Sequence, residues 1–479
     1  MKKKTDVRFH FLKDTKGKLT ALKKNILIFL FFLSIFLSAL DAFSLFSIPF
    51  PWIGYSISVL IFSLYGYKDS YKNIKKFKYL FIWFVFTLFT SLIILIFFDI
   101  PNFDFRNTNE INYILLRFVT LMFFILTLIN VIALHKLFDL KLILRILIYT
   151  SLLVSTLSLI SYLSFIFGYQ DFIRNRLGTN SFGVQKIKDA CTILRNYGTF
   201  REPSFLAVWL VPTIPLFFNK YFSNSFLKYL FIIPSLSLVL TRSLTGIISI
   251  LISIFFVFVL LLINREIKII FLIPVVSILI VSTFGNALSF KFPALEASQC
   301  PPNSIDKCDC SIYQDKKDEA KNSDNINSSI YKRLYILYNE GISSYENIAR
   351  INNFISDSSI IIFGNGLGRA NIIFTNDFNN RNRLDSETSQ KDQYPGLIVS
   401  VNNLYANVYF TSGIIGLFIF FVFLKSYFLN LIKHLIFDYP EMVISVFSIF
   451  IMYFFQGEEF TFISALFLGL TLSLISDKK

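Results

Sequence analysis

The chain has few charged residues. Only 16% of its 479 residues are Asp, Glu, Lys or Arg, whereas 54% are hydrophobic. Soluble globular domains carry about 25% charged residues, so this scarcity excludes an ordinary soluble enzyme of this length. The mean hydropathy is +0.60 and Phe alone occurs 59 times. The composition therefore predicts an integral membrane protein.

Histidine and cysteine are scarce as well. The chain has three histidines and four cysteines, and it contains no P-loop, H-E-x-x-H or D-x-D pattern. ATP-driven transport, zinc proteolysis and metal-assisted binding of nucleotide sugars are therefore disfavoured. The sequence predicts no cofactor, no metal site and no nucleic-acid partner.

Long apolar runs make up much of the chain. Most approach the roughly 20 residues that cross the hydrocarbon of a bilayer, although two are short. We therefore predict an all-α integral membrane protein with about 12 transmembrane helices. The runs lie at 25–46, 50–67, 79–98, 113–134, 142–168, 204–218, 227–240, 245–263, 269–286, 404–424, 442–455 and 460–475.

The charged segments between these runs predict an orientation in a bacterial cytoplasmic membrane. Residues 1–24 and 67–78 are rich in lysine, and the positive-inside rule places such segments in the cytoplasm. Alternation then puts the short lysine-bearing loops and both termini on that side. The first run is too long for the core of a cleaved signal peptide. The predicted order is a basic cytoplasmic tail (1–24), transmembrane helices 1–5 (25–168), a first large periplasmic loop (169–202), helices 6–9 (203–286), a second large periplasmic loop (287–400), and helices 10–12 with a short cytoplasmic tail (401–479).

All four cysteines fall in the two predicted periplasmic loops: Cys191, Cys300, Cys308 and Cys310. An oxidising compartment permits disulfides, and four cysteines allow three pairings. A zinc site at Cys308 and Cys310 is the alternative, but no histidine accompanies them on that side.

Arginine is distributed differently from lysine. Only Arg8, Arg145 and Arg265 fall on the predicted cytoplasmic side, whereas the other arginines lie in outer loops or at outer helix ends. The planar guanidinium binds phosphate or carboxylate through two parallel hydrogen bonds, which lysine cannot do. We therefore predict an outer face that holds an anionic group. The alternative is that long exported loops escape the charge rule.

Four segments at predicted outer helix ends carry motifs. The most specific is RNYGTFREPSFLAVWLVPTIPLFF (195–218), which contains an R-x-x-G-x-F-x-E-P-S pattern. The second and fourth segments are LTRSLTGIISILI (240–252) and NNLYANVYFTSGIIGLFIFF (402–421). The third, IIIFGNGLGRANIIF (360–374), has the pattern of a strand followed by a glycine turn. In this order the four segments resemble the O-antigen polymerase and ligase superfamily.

The resemblance implies a GT-C-like helical membrane glycosyltransferase that acts on undecaprenyl-pyrophosphate-linked oligosaccharides. Ligases of the superfamily use an outer-loop histidine, whereas His10, His135 and His434 are all predicted to be cytoplasmic. A repeat-unit polymerase for O-antigen, capsule or exopolysaccharide is therefore favoured, with membrane lipid and a chain-length regulator protein as further partners. The alternatives are a ligase-like transferase and a lipid-linked oligosaccharide flippase. A flippase should show charged or broken helices near mid-membrane.

Glycosyl transfer from a pyrophosphate needs positive charge at the leaving group and a base at the acceptor hydroxyl. Glu202 is the predicted base, and Arg201 and Arg242 are the predicted catalytic cations. A structural role for Glu202 at a helix N-terminus, paired with Arg201 or Arg195, is the alternative. For each arginine the alternative is a surface or structural role. The predicted pyrophosphate ligands are Arg195, Arg333, Arg350 and Arg369, and the other predicted substrate-binding residues are Ser204, Asn402 and Asn403.

Three further features allow two interpretations each. Arg117 lies one turn inside the fourth predicted helix and either faces a cavity or extends to the membrane interface. The glycines of 364–368 either cradle a phosphate with backbone N–H groups or form a turn. Glu458 and Glu459 face either the predicted site or solvent.

Overall fold

The computed structural model of the protein describes residues 21–61, 63–64, 74–98, 109–169, 171–176, 183–187, 190–222, 226–263, 358–373, 403–455 and 460–478. These residues form a helical bundle with two small β-hairpins. The helices are α1 (Ala21–Ser38), α2 (Phe50–Ile61), α3 (Lys78–Phe97), α4 (Glu110–His135), α5 (Leu140–Ile166), α6 (Pro203–Leu210), α7 (Ile232–Thr241), α8 (Leu244–Ile263), α9 (Ser358–Phe363), α10 (Leu404–Leu435), α11 (Pro440–Phe455) and α12 (Phe462–Asp477).

Five apolar helical stretches of the described residues are long enough to cross a membrane. They are Lys75–Phe97, Glu110–His135, Leu140–Ile166, Thr245–Ile263 and Leu404–Leu435. The remaining apolar helices, among them α1, α2, α11 and α12, are shorter. The architecture of an all-α membrane protein is therefore confirmed at this level.

Local sequence explains where several helices begin. Asn109, Asn403 and Thr461 stand immediately before α4, α10 and α12, and each side-chain oxygen accepts from the backbone N–H three residues later, at 2.8, 3.0 and 3.4 Å. These bonds satisfy N–H groups that have no partner inside a helix. Pro203 and Pro440 open α6 and α11, where proline loses no helical hydrogen bond.

Two of the shorter predicted helices are not α-helical throughout. The run predicted at 204–218 forms α6 and then, after a turn, a short 3-10 helix (Ile214–Phe218). Pro212 and Pro215 lack the N–H groups that a continuous helix needs, which explains the break. The run predicted at 227–240 starts as a 3-10 helix (Phe226–Phe231) and continues as α7. The predicted helix at 269–286 lies outside the described residues.

The two hairpins lie between helices. Strands β1 (Ser44–Leu45) and β2 (Ile48–Pro49) join α1 to α2. Strands β3 (Val184–Ile187) and β4 (Ala190–Asn196) pair antiparallel, with Val184 opposite Asn196. The second hairpin lies in the first predicted large loop and leads directly into the R-x-x-G-x-F-x-E-P-S motif.

The core of the bundle surrounds α12. This helix is buried continuously from Phe462 to Ile475, and a helix that is apolar on all sides requires neighbours on all sides. It packs on α4 and also contacts α1, α10 and α11. On other faces of the bundle, α3 packs on α10, α8 on α11, and α1 on α2 and α5.

The helix ends form two clusters, one at each end of the bundle. We call the first cluster the arginine end. Helices α1, α3, α5, α7 and α11 finish there, and α4, α6, α8, α10 and α12 begin there. The opposite one is the lysine end, where His135 lies 3.0 Å from the Ser473 hydroxyl and Asn219 donates to Glu441. Among the described residues, every arginine except Arg145 lies at, or within two turns of, the arginine end. Lys75, Lys76, Lys78, Lys136, Lys141, Lys220, Lys228, Lys433 and Lys478 lie at the other.

Candidate active site at the arginine end

The R-x-x-G-x-F-x-E-P-S motif crosses the arginine end from α5 to α1. Gly198 adopts a positive φ of 51° and packs against α5, where a Cβ atom would lie 2.7 Å from the Ser158 Cα. Phe200 is buried. Thr199 donates to the Ala39 carbonyl at 2.9 Å and so attaches the motif to the end of α1. Gly198, Thr199 and Phe200 therefore fix the backbone that presents Arg201 and Glu202.

Asp41 is the centre of an ion-pair cluster that sequence reasoning missed. Its carboxylate binds Arg176 through one oxygen and the Arg201 Nε through the other, at 2.8 Å for Arg201. Burial raises the pKa of the Asp41 carboxyl, but the charges of Arg201 and Arg176 and their hydrogen bonds lower it by more, so it lies below its ordinary 3.8. Asp41 therefore stays ionised and holds Arg201 in place. The only sequence signal was a single acidic residue at the outer end of an apolar run.

Arg201 is partly accessible despite this pairing. Its side chain is 33% exposed, and its guanidinium lies 5.3 Å from the centre of the Phe205 ring. The ion pair uses Nε, so the terminal nitrogens are not committed to Asp41. Arg201 is therefore held in position by Asp41 while its side chain stays partly exposed.

A second ion pair is structural. Arg174 makes a bidentate bond to Asp171, with Nη1 and Nη2 at 2.8 and 2.7 Å from the two carboxylate oxygens. Both side chains are almost completely buried, at 0% and 2% exposure. Arg174 also donates to the Gly198 carbonyl at 2.8 Å and to the Ser161 hydroxyl at 3.2 Å. Arg174 therefore anchors the first loop to α5 and presents no charge to a ligand.

Glu202 lies on the surface immediately before α6. It occupies the N-cap position of α6 with an extended backbone, but its side chain makes no cap bond to the helix. Arg201 pairs with Asp41 rather than with Glu202. Glu202 accepts a hydrogen bond from the buried Ser204 hydroxyl at 3.3 Å. An exposed carboxylate, Glu202, thus directly follows the partly exposed Arg201 in the chain.

Arg195 and Arg242 are brought together at the turn between α7 and α8. The Arg195 Nε donates to the Thr241 carbonyl at 3.2 Å. Arg242 ends α7 in the left-handed region, with φ at 52°. Only Arg242 and Ser243 separate the two helices. A left-handed conformation is costly for arginine, which marks this residue as one held by its surroundings.

The glycine segment after α9 is inserted between α3, α4 and α10. The predicted strand at 360–363 is wrong, because Ser358–Phe363 is helical. The N–H groups of Asn365, Gly366 and Leu367 donate to Phe410 O, Thr411 O and the Ser91 hydroxyl, at 2.7, 3.0 and 2.9 Å respectively. Since protein acceptors use these three groups, they do not cradle a phosphate.

This insertion breaks α10. Gly413 has φ at 66° and ψ at −169° within an otherwise helical segment. Gly364 lies against the break, and a Cβ atom on it would meet the backbone of 411–413 at 2.5 Å. The carbonyls of Phe410 and Thr411 are then free to accept from the glycine segment. Hydrogen bonds from outside the helix thus replace those lost at the break.

Arg369 and Arg117 form a separate group beside this insertion. Arg369 is buried, with its guanidinium 5.7 Å from the Phe98 ring centre. Arg117 donates to the Tyr113 hydroxyl, with Nε at 2.9 Å, and Gly368 packs on its side chain. Arg369 is thus associated with α3 and α4, whereas Arg195, Arg201 and Arg242 surround the first loop.

Asn403 has a defined structural role. It caps α10 through its oxygen, and its amide nitrogen donates to the Phe454 carbonyl at 2.8 Å, which joins α10 to the end of α11.

The other predicted residues lie outside the described part of the chain: Arg333, Arg350, Asn402, Glu458, Glu459, Cys300, Cys308 and Cys310. Cys191 lies in β4, but its side chain is not described. Within the described residues, no group of three or more His, Cys, Asp or Glu side chains is placed to hold a metal.

Comparison with known proteins does not identify a family for the chain. No protein-family model matches the chain, and no curated protein matches its sequence significantly.

Proposed function

We propose that the protein is a membrane glycosyltransferase that polymerises oligosaccharides carried on undecaprenyl pyrophosphate. The observation that carries the proposal is made just before α6, where an exposed Glu202 directly follows in the chain an Arg201 that Asp41 fixes in position. A carboxylate and a guanidinium at consecutive positions supply the two functions that glycosyl transfer from a pyrophosphate needs. The motif that contains them also carries the resemblance to O-antigen polymerases.

The reaction balances with these groups alone. The hydroxyl oxygen of the acceptor sugar forms a bond to the anomeric carbon of the donor chain, and the bond from that carbon to the pyrophosphate oxygen breaks. The pyrophosphate leaves with the electron pair, and Glu202 takes the hydroxyl proton. Arg201 stabilises the developing negative charge, because a guanidinium held in advance needs no reorganisation in the transition state. Arg195 and Arg242, at the neighbouring turn, extend the positive surface for the two phosphates.

The location and partners belong to the same proposal. The protein spans the cytoplasmic membrane of a bacterium about 12 times, with the arginine end in the periplasm and both termini in the cytoplasm. The separation of arginines from lysines supports this orientation, since lysine-rich ends stay in the cytoplasm. A chain-length regulator protein is the proposed protein partner.

A flippase is the second candidate, and one observation favours it. The break in α10 at Gly413 lies within a helix of membrane-spanning length, and broken helices are typical of transporters. Against it, the described arginines gather at one end rather than at mid-membrane.

The test is complementation of a deletion strain, with glycan length read on a gel. We expect the deletion to leave a single capped repeat unit, and Glu202→Gln and Arg201→Lys to fail to restore the ladder at equal membrane levels. Glu110→Gln is the matched control, because Glu110 also opens a helix at the arginine end, and it should restore the ladder. Long polymer that stays unattached in the deletion strain would instead identify a ligase. Lipid-linked units trapped in the cytoplasm would identify a flippase.

A further inference from the structure

A cleft at the lysine end has no part in the proposed reaction. It encloses about 300 Å³ between the start of α3 and the ends of α10 and α12. Ligand-binding clefts begin at about this volume. Its polar lining consists of Lys75, Lys76, Lys78, Tyr79, Ser426, Tyr427, Asn430 and Ser476.

The charge of the cleft points to an anionic ligand. Three lysines lie within four residues at the start of a membrane-spanning segment, and Lys75 and Lys78 are exposed. Lysine at a helix N-terminus is unfavourable, because the helix dipole is positive there. None of the lining residues that the structure describes is acidic. Asp477 lies next to Ser476 and 3.5 Å from His135. The positive-inside rule accounts for lysines at this end in general, and their concentration at one cleft suits an anionic ligand.

The polarity of the cleft changes along its depth. On α10, the apolar Phe423 lies deeper in the bundle, and Ser426 and Asn430 follow towards the lysine end. On α12, Leu472 lies deeper and Ser476 lies nearer the end. Two helices thus present the same order, apolar inside and polar outside. A free phosphate needs only the polar part, whereas a phospholipid matches both.

We propose that this cleft binds one anionic phospholipid, with its phosphate at the three lysines and its glycerol and first acyl carbons along Phe423 and Leu472. Basic clefts between transmembrane helices on the cytoplasmic side bind such headgroups. This lipid holds α3 against α10 and α12. The site is independent of the reaction proposed for the arginine end.

The test uses the full chain in detergent with added lipid, and native mass spectrometry measures binding of phosphatidylglycerol and phosphatidylcholine. We expect the protein to retain one phosphatidylglycerol molecule in preference to phosphatidylcholine. Replacing Lys75, Lys76 and Lys78 together by Gln should weaken this binding by on the order of a hundredfold, at about fivefold for each lysine. The control with the same change of charge at the same end is Lys141→Gln, Lys220→Gln and Lys228→Gln, which should bind normally.

A second variant tests the cleft without a change of charge. Ser426 is half-buried in the lining, so Ser426→Phe should fill the cleft and release the lipid while the protein remains folded. Equal loss of binding in the control triple variant would show a general surface charge and overturn the proposal. Full competition by water-soluble glycerophosphoglycerol would show a free phosphate site and overturn it as well.

Discussion

Asp41 stabilises the fold at the arginine end through two ion pairs. It joins the end of α1 to Arg176 and Arg201 of the first loop and motif. Asp41→Asn leaves two partly buried arginines without their counter-charge, which should lower the free energy of unfolding by about 2 kcal/mol, the range for hydrogen bonds to charged groups. Thermal unfolding in detergent measures this. Asp139→Asn is the control, because Asp139 is exposed and makes no cap bond to α5.

The pH dependence of this difference follows from the lowered pKa of Asp41. Because the folded pKa lies below the ordinary 3.8, the ion pairs contribute their full stability above that value and lose it as the pH falls through the folded pKa. The melting temperatures of the wild type and Asp41→Asn should therefore differ by a constant amount from about pH 7 to about pH 5. A difference that shrinks within this range contradicts the assignment.

Residue roles within the motif were only partly predictable. Pro203 at the start of a helix can be predicted from the sequence, because that preference is local. It did not indicate that Gly198 and Phe200 are packing residues or that Arg201 pairs with Asp41, about 160 residues away in the chain. A salt bridge at that separation depends on how α1 meets the motif, which no local pattern encodes.

At the scale of elements, the contact between the glycine segment and α10 gives a sharp prediction. Gly364→Ala places a Cβ atom 2.5 Å from the backbone of 411–413, at a residue whose φ is +83°. Backbone atoms cannot move aside as a side chain does, so we expect a loss of several kcal/mol, on the order of overpacking plus left-handed strain. Thermal unfolding and protein yield in the membrane measure it.

Gly168→Ala is the control that introduces backbone strain without a steric clash. Gly168 has a similar φ of +75°, but nothing lies within 4 Å of the position of its Cβ atom. This variant should lose only about 1 kcal/mol, the cost of a left-handed alanine. Equal losses in the two variants would mean that the close contact between Gly364 and α10 does not contribute to stability.

The positions of the long helices were largely predictable from the sequence. The breaks within helices were predictable only in part. Continuous apolar runs predicted α3, α4, α5 and α8 to within a few residues, because a span needs little beyond hydrophobic length. The prolines at 212 and 215 explain the break after α6 from local chemistry. The break in α10 depends on a separate segment that supplies donors, and the sequence around Gly413 does not reveal it.

At the scale of the whole molecule, the separation of arginine from lysine predicts sidedness. A membrane-impermeant maleimide should label Ser47→Cys in intact cells, because Ser47 is exposed in the hairpin at the arginine end. Lys136→Cys, exposed between α4 and α5, should react only after lysis. Both are made in a chain whose four native cysteines are serine. Labelling in the reverse order would place the arginine end in the cytoplasm and remove the basis of the proposed reaction.

The break in α10 also has a consequence for how the chain matures. Ribosomes deliver α3 and the glycine segment before α10, so the acceptor at Ser91 and the donors at Asn365 and Gly366 exist before their last partner emerges. Inside lipid, a backbone carbonyl without a donor costs several kcal/mol. During insertion α10 is therefore most stable as an unbroken rod, and it bends at Gly413 only when the glycine segment docks. Docking of that segment therefore cannot precede the synthesis of α10, although the segment itself is made earlier.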